Sequence, residues 1–294
     1  MLIYQGHFPR DLETDSVIST LRGGFKYPLA YGYASVGKVI EVGKQVNNEW
    51  LNRLVFTFQP HSSYFISRLE SLFAIPDALS PETACFLPNM ETAINLVQDG
   101  APIFGERVLV LGQGVIGLLT ASLLNKFPLE ALVTADCYEL RRKASLNLKV
   151  SDVFDPNPES FQNDSSAHAQ RKFDLTFELS GNPAALNDAL ARTAFSGRII
   201  IGSWYGEKPA GIDLGGAFHR SRIKLISSQV STIAPELSGR WDKARRFEVA
   251  WQTLEQIKPE KWITHRFFID RAEDAFRLLD ENPQETIQVL ITYS

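Results

Sequence analysis

Cysteine is scarce in this chain, with two among 294 residues. Cys85 and Cys137 are too few for a disulfide framework or a four-cysteine zinc site, and both stand in apolar sequence where an inert reduced thiol is expected. No apolar run is long enough to span a membrane. The longest, Val108 to Leu124, is interrupted by Gln113 and by glycines. The start, Met1-Leu2-Ile3-Tyr4-Gln5-Gly6-His7, lacks the basic residues and apolar core of a signal peptide, so a cytoplasmic location is expected. An excess of positive charge is also missing. The formal net charge is −4, and basic residues cluster only at Arg141-Arg142-Lys143 and within Lys243 to Arg246, which argues against a nucleic-acid partner. With 44% hydrophobic residues, the chain can build one large or two ordinary domains.

The most informative segment is Val108-Leu109-Val110-Leu111-Gly112-Gln113-Gly114-Val115-Ile116-Gly117, a short apolar strand entering G-x-G-x-x-G and then an apolar helix. In a dinucleotide-binding turn the first glycine permits the tight bend, the second admits the pyrophosphate, and the third lets helix pack on strand. The helix start, with Val115 and Ile116, offers free amides to phosphate. The next strand, Ala131 to Ala135, ends at Asp136, about 20 residues past the last glycine, where an acid holds the adenosine ribose. Such an acid repels the extra phosphate of NADP(H), so NAD(H) is favoured. Arg141 and Arg142 keep NADP(H) open, either as phosphate contacts or as solvated charges.

The first third holds short strand-like runs, Ser35 to Val42, Arg53 to Phe58 and Ser63 to Ile66, and reads as a β domain. A helix is expected over Pro81 to Gln98 with Ser80 as its cap. Strand and helix then alternate, with strands at Phe173 to Ser180, Gly197 to Gly202 and Arg222 to Val230, which implies a parallel sheet covered by helices. Asn157 to Gln170 reads as a surface excursion. Toward the end come a helix over Lys243 to Ile257, a strand over Thr264 to Ile269, a helix over Arg271 to Asp280 and a strand over Thr286 to Thr292. The fold class is α/β, a Rossmann doubly wound parallel sheet plus a β-rich domain.

Several segments resemble the medium-chain dehydrogenase/reductase superfamily, the zinc alcohol dehydrogenases and quinone reductases. Arg53-Leu54-Val55-Phe56 is similar to the family's G-D-R-V, Gly105-Glu106-Arg107-Val108-Leu109-Val110 to its G-E-x-V-L-V, and Thr264 to Phe276 to its terminal strand and A-F helix. The resemblance implies a GroES-like β-rich domain from 1–88 and 232–294, shortened at its N-terminus, and a Rossmann domain over 89–231. Gly32-Tyr33-Ala34-Ser35-Val36-Gly37 and Ser203-Trp204-Tyr205-Gly206 resemble the bacteriochlorophyllide dehydrogenase-like subgroup, which oxidises a side chain on a chlorin ring.

The chain departs from the family at the metal. Gly32-Tyr33-Ala34 stands where zinc members carry G-H-E, no cysteine precedes Lys26, and Pro88 falls near the third ligand, so no zinc is expected. Side chains must then act on the substrate oxygen. By carry-over these are Tyr33 at the histidine-ligand position and Glu91 and Thr92 in the hinge, joined by His61 on a loop between strands. Asn89, Trp204, Tyr205 and His219 are candidate substrate contacts, and Ser180, Gly202 and Ser203 candidate cofactor contacts beside Arg141. Each has a plain structural alternative: packing for Tyr33 and the Trp204-Tyr205 pair, a surface loop for His61, a helix start for Glu91. The expected activity is zinc-independent, NAD(P)-dependent interconversion of a secondary alcohol and ketone on a small molecule, with a bulky ring substrate in view. NADPH-dependent enone or quinone reduction and an inactive cofactor-binding sensor or scaffold are the alternatives, and a homodimer is left open.

Overall fold

The protein is described here as a computed structural model, covering residues 1–9, 27–157 and 171–293. The expected excursion beyond Asn157 lies outside the described residues. After a short turn of helix, α1 (Leu2–Gln5), strands β1 (Ser35–Lys38), β2 (Leu54–Thr57) and β3 (Phe73–Ala74) form an antiparallel sheet in that order. The run Ser63 to Ile66 is not a strand, and Ile66 is fully exposed, so nothing buries its apolar side chains against a partner.

The helix expected over Pro81 to Gln98 is two helices, α2 (Pro81–Ala84) and α3 (Leu87–Gly100). Ser80 caps the first by accepting the Thr83 amide at 3.1 Å. Pro88 explains the break, since it has no N–H to return to residue 84 and is tolerated only in the first turn of a new helix.

Six parallel strands follow: β4 (Arg107–Leu111), β5 (Ala131–Ala135), β6 (Asp152–Phe154), β7 (Phe173–Glu178), β8 (Thr193–Ile201) and β9 (Lys224–Ser227). Their spatial order is β6-β5-β4-β7-β8-β9, the doubly wound 3-2-1-4-5-6 arrangement. The order reverses between β4 and β7. Helices α4 (Val115–Leu124), α5 (Glu139–Leu146) and α6 (Ala185–Arg192) connect the strands. The central strands are buried throughout, as near-continuous apolar runs covered on both faces should be.

The chain ends with α7 (Lys243–Ile257), β10 (Ile263–Phe268), α8 (Ala272–Glu281) and β11 (Gln288–Thr292), the two strands pairing in parallel across the helix. Asp242 caps α7 by accepting the Arg245 amide at 2.7 Å. One core cluster takes Phe56 from β2, Met90 and Ile94 from α3, Leu118 from α4, Phe247 and Leu254 from α7, and Trp262. Among the described residues no helix is long and apolar enough to cross a membrane.

Candidate active site

The glycine turn is built as its spacing requires. Gly112 has φ +90°, and a Cβ there would lie 2.6 Å from the Leu179 backbone. At Gly117 a Cβ would lie 1.9 Å from the Gly112 carbonyl oxygen, so only glycine lets α4 close on β4. Gly114 differs, because a Cβ would meet nothing within 4 Å. That open space in front of the α4 N-terminus, where Val115 and Ile116 begin the helix, fits a pyrophosphate held by backbone amides.

Asp136 follows β5 and is 6% exposed. Its carboxylate accepts the Gln113 amide at 2.7 Å and the Tyr138 amide at 2.8 Å, which fixes it against the glycine turn with lone pairs left for ribose hydroxyls. Gln113, which sequence reasoning passed over as the variable residue of the motif, is itself fully buried. Its amide donates to the Gly112 carbonyl at 2.9 Å and accepts from Ser145 at 3.1 Å, so it staples the turn to α5. A polar residue inside an apolar strand-turn-helix run was the available signal.

Arg141 is placed differently from expectation. It donates to the carbonyls of Thr286 and Pro283 at 3.1 and 3.2 Å and stacks on Tyr138, and so holds the C-terminal segment. Arg142 donates to the carbonyls of Asp136 and Cys137 and pairs with Asp155 at 3.1 Å. Both guanidinium groups are engaged by protein acceptors. Cys137 is exposed here, a correction to its expected apolar surroundings, because it opens the loop after β5. Cys85 is the inert thiol expected, pushed up to about 12 by burial and the nearby Glu82.

Across the reversal point, Glu178 ends β7 and is fully buried. It accepts from the amide and hydroxyl of Ser180 and from the Tyr205 phenol. Tyr205, expected as a substrate wall, is thus turned onto this acid, and burial together with Glu178 pushes its phenol far up. Ser203 joins the two loops by accepting the Gly181 amide at 2.9 Å. At Gly202 a Cβ would meet the side-chain ends of Leu96 and Leu179 at 2.5 and 2.6 Å, so the glycine is packed beneath these leucines. Trp204 remains half exposed beyond β8, and His219 is exposed after the turn Leu214–Phe218.

Gly32 has φ +111°, and a Cβ there would lie 2.7 Å from the His61 ring, so the imidazole packs on the backbone that precedes Tyr33. The Tyr33 ring meets that of Tyr31 edge-on with centroids 6.1 Å apart. The His61 amide donates to the Tyr31 carbonyl at 3.2 Å. His61 Nδ1 lies 3.0 Å from the hydroxyl of Tyr293, a residue near the chain end that no motif singled out. Burial lowers the His61 imidazole and raises the Tyr293 phenol.

The hinge residues divide. Glu91 is buried and pairs with Lys243 at 2.5 Å and Arg246 at 3.7 Å, the contacts of an internal anchor. Thr92 returns its hydroxyl to the Pro88 carbonyl at 2.9 Å, and Asn89 sits half-buried in the first turn of α3. Among the described residues, no three His, Cys, Asp or Glu side chains group so as to hold a metal ion. Tyr33 and Ala34 beside His61 do not make the donor set that tetrahedral zinc needs.

No protein-family model matches the chain. It is 24% identical over 220 residues, 75% of its length, to L-threonine 3-dehydrogenase of Xanthomonas campestris pv. campestris, and spans 61% of that relative. The crystal structure of a short chain alcohol dehydrogenase (rspB) from Escherichia coli CFT073, complexed with NADH, superposes with a TM-score of 0.72 at 20% identity, covering 89% of this chain and 83% of the other. A Sinorhizobium meliloti protein solved with NADP bound gives 0.72 at 16% identity, over 99% and 86% of the two chains. The fold is that of these alcohol dehydrogenase-type structures.

Proposed function

We propose that the protein is an NAD(P)-dependent oxidoreductase that transfers a hydride between nicotinamide and a secondary alcohol or ketone without zinc, with NAD(H) the favoured cofactor. The observation carrying this reading is the meeting of the Gly112 to Gly117 turn with Asp136 where the strand order reverses, since doubly wound sheets bind ligands there. Its relatives' names, L-threonine 3-dehydrogenase and alcohol dehydrogenase, support the alcohol as substrate class.

A bound dinucleotide supplies the hydride acceptor or donor. The amides after Gly114 would take its pyrophosphate, and Asp136 its adenosine ribose. Arg141 and Arg142 are engaged by backbone carbonyls, and Arg141 Nη1 also lies 3.9 Å from the Asp136 carboxylate, so both are already committed to protein acceptors, which supports NAD(H). Tyr33 would hold the substrate oxygen, and His61, backed by Tyr293, would take or return its proton. The half-exposed Trp204 offers a planar wall, which supports a substrate carried on a bulky ring.

Fluorescence titration with NADH and NADPH tests the reading. NADH is expected to bind more tightly, and Asp136→Ala to weaken it about tenfold or more, a loss of about 1.4 kcal/mol. Unchanged NADH affinity in that variant, or tighter NADPH binding by wild type, overturns the cofactor assignment. Elemental analysis of the same preparation is expected to find no stoichiometric zinc, and one zinc per chain surviving dialysis overturns the metal-free chemistry.

A further inference from the structure

Glu178 is paired in register with Leu111, the last residue of β4, so its carboxylate sits where the strand order reverses. It is fully buried, yet its hydrogen-bond donors, the Ser180 amide and hydroxyl and the Tyr205 phenol, are all neutral. Neutral donors orient a buried acid without cancelling its charge, and buried charges are ordinarily paired because desolvation costs so much. The other buried acids among the described residues show the contrast, since Glu91 faces Lys243 and Arg246 and Asp136 has Arg141 at 3.9 Å.

Among the described residues no cation forms an ion pair with Glu178, and Lys208 donates instead to the Gly181 carbonyl at 3.4 Å; a counter-charge at Glu178 would lie in a particular half of the sheet. The adenosine half of the expected site is built on β4 and β5, with Asp136 at its edge, whereas β7 opens the second mononucleotide half. Loops 179–182 and 203–206, which Glu178 and Ser203 tie together, leave the carboxyl ends of that half. An oxidised nicotinamide ring is cationic and a reduced one is neutral. Resting on the oxidoreductase reading above, we propose that Glu178 is the counter-charge for the nicotinamide and shifts the affinity of this site toward the oxidised form of its cofactor.

Isothermal titration of the full chain with NAD+ and NADH separately measures that shift. Glu178→Gln keeps the size and hydrogen-bonding capacity but removes the charge. It is expected to weaken NAD+ about tenfold relative to wild type while NADH changes less than about twofold, a difference of about 1 to 1.4 kcal/mol between the forms. Glu178→Asp keeps the charge and is expected to hold the NAD+/NADH ratio near that of wild type. Equal weakening of both forms in Glu178→Gln makes the acid a mere loop anchor and overturns the proposal, as does an unchanged ratio. Should Glu178→Gln not fold, Tyr205→Phe decides, since removing one neutral donor leaves the charge less screened. The ratio should then move at least about twofold further toward NAD+, and a fall or no change overturns the proposal. A wild type that binds neither form overturns the oxidoreductase reading as well, whereas tight binding of both with an unaltered ratio defeats only the role of Glu178.

Discussion

At the scale of single residues, the pairing of His61 with Tyr293 joins positions 232 residues apart at 3.0 Å, a contact no local motif announces. The candidate chemistry divides by how local its cause is. The turn and Asp136 were legible because the glycine spacing reflects local geometry, the positive φ of Gly112, the open space at Gly114 and the contact of Gly117 with the Gly112 carbonyl, and the acid ends the adjacent strand. Arg141 and Tyr205 were not, because their partners, the 283 and 286 carbonyls and Glu178, arrive through tertiary folding. Tyr33→Phe and His61→Ala should lower kcat about 10- to 1000-fold on the best secondary alcohol of a substrate panel, with NADH affinity unchanged, because the groups serve the reacting oxygen and not the adenosine. Wild-type turnover in both variants would remove them from the mechanism. Burial lowers the His61 imidazole below its usual 6.5, so between that lowered value and 6.5 the unfolded chain binds more protons at this site. The His61 contribution to stability is therefore present above pH 6.5 and is lost as pH falls through the folded-state value. His61→Ala should correspondingly flatten the decline of the urea midpoint below about pH 6.5.

At the scale of elements, α7 falls on the polar helix expected over Lys243 to Ile257, and β10, α8 and β11 lie within two residues of expectation. The long helix from Pro81 was misread because apolar periodicity runs through Cys85 and Phe86 and gives no warning of the backbone constraint at Pro88. Glu91 was a catalytic candidate for its place in the hinge, but α3 buries it against α7. Lys243 and Arg246, which flank it, also donate to the Val230 carbonyl, and Arg246 to that of Thr232, so one acid fixes the segment leaving β9. Removing one partner of a buried ion pair leaves the other uncompensated, and Arg246 is wholly buried. Glu91→Ala should lower unfolding stability by about 3–5 kcal/mol, read from denaturant midpoints at constant m-value. A folded variant of near wild-type stability with lost turnover would return Glu91 to the catalytic group.

At the scale of the whole molecule, the α/β class and parallel sheet were readable from alternation, since buried parallel strands write continuous apolar runs such as Val108 to Leu111. The division of the chain was less so. The boundary expected between residues 88 and 89 falls inside α3 (Leu87–Gly100), and the residues on its two sides share one core. Leu87, Met90 and Ala93 pack in the cluster that holds Phe56 of the antiparallel sheet, Leu118 of the glycine-turn helix, and Phe247 and Trp262 of the C-terminal segment. Phe58, Phe73 and Trp251 extend it as ring contacts at 4.9–6.4 Å. Opening this shared cluster exposes apolar faces of all three regions at once, although the parallel sheet also holds two clusters of its own, around Leu109 and Val133 and around Val108 and Leu175. Urea unfolding should therefore be a single transition, with tryptophan fluorescence, sensitive to Trp251 and Trp262 in the shared cluster, and far-ultraviolet circular dichroism, which follows the helices of every region, giving coincident midpoints. Saturating NAD+ at about 100 times its Kd should raise both midpoints together, by the equivalent of about 2.7 kcal/mol. Two separated transitions, of which the nucleotide moves only one, would mean that the glycine-turn domain is stable alone and that the shared cluster is a docking interface.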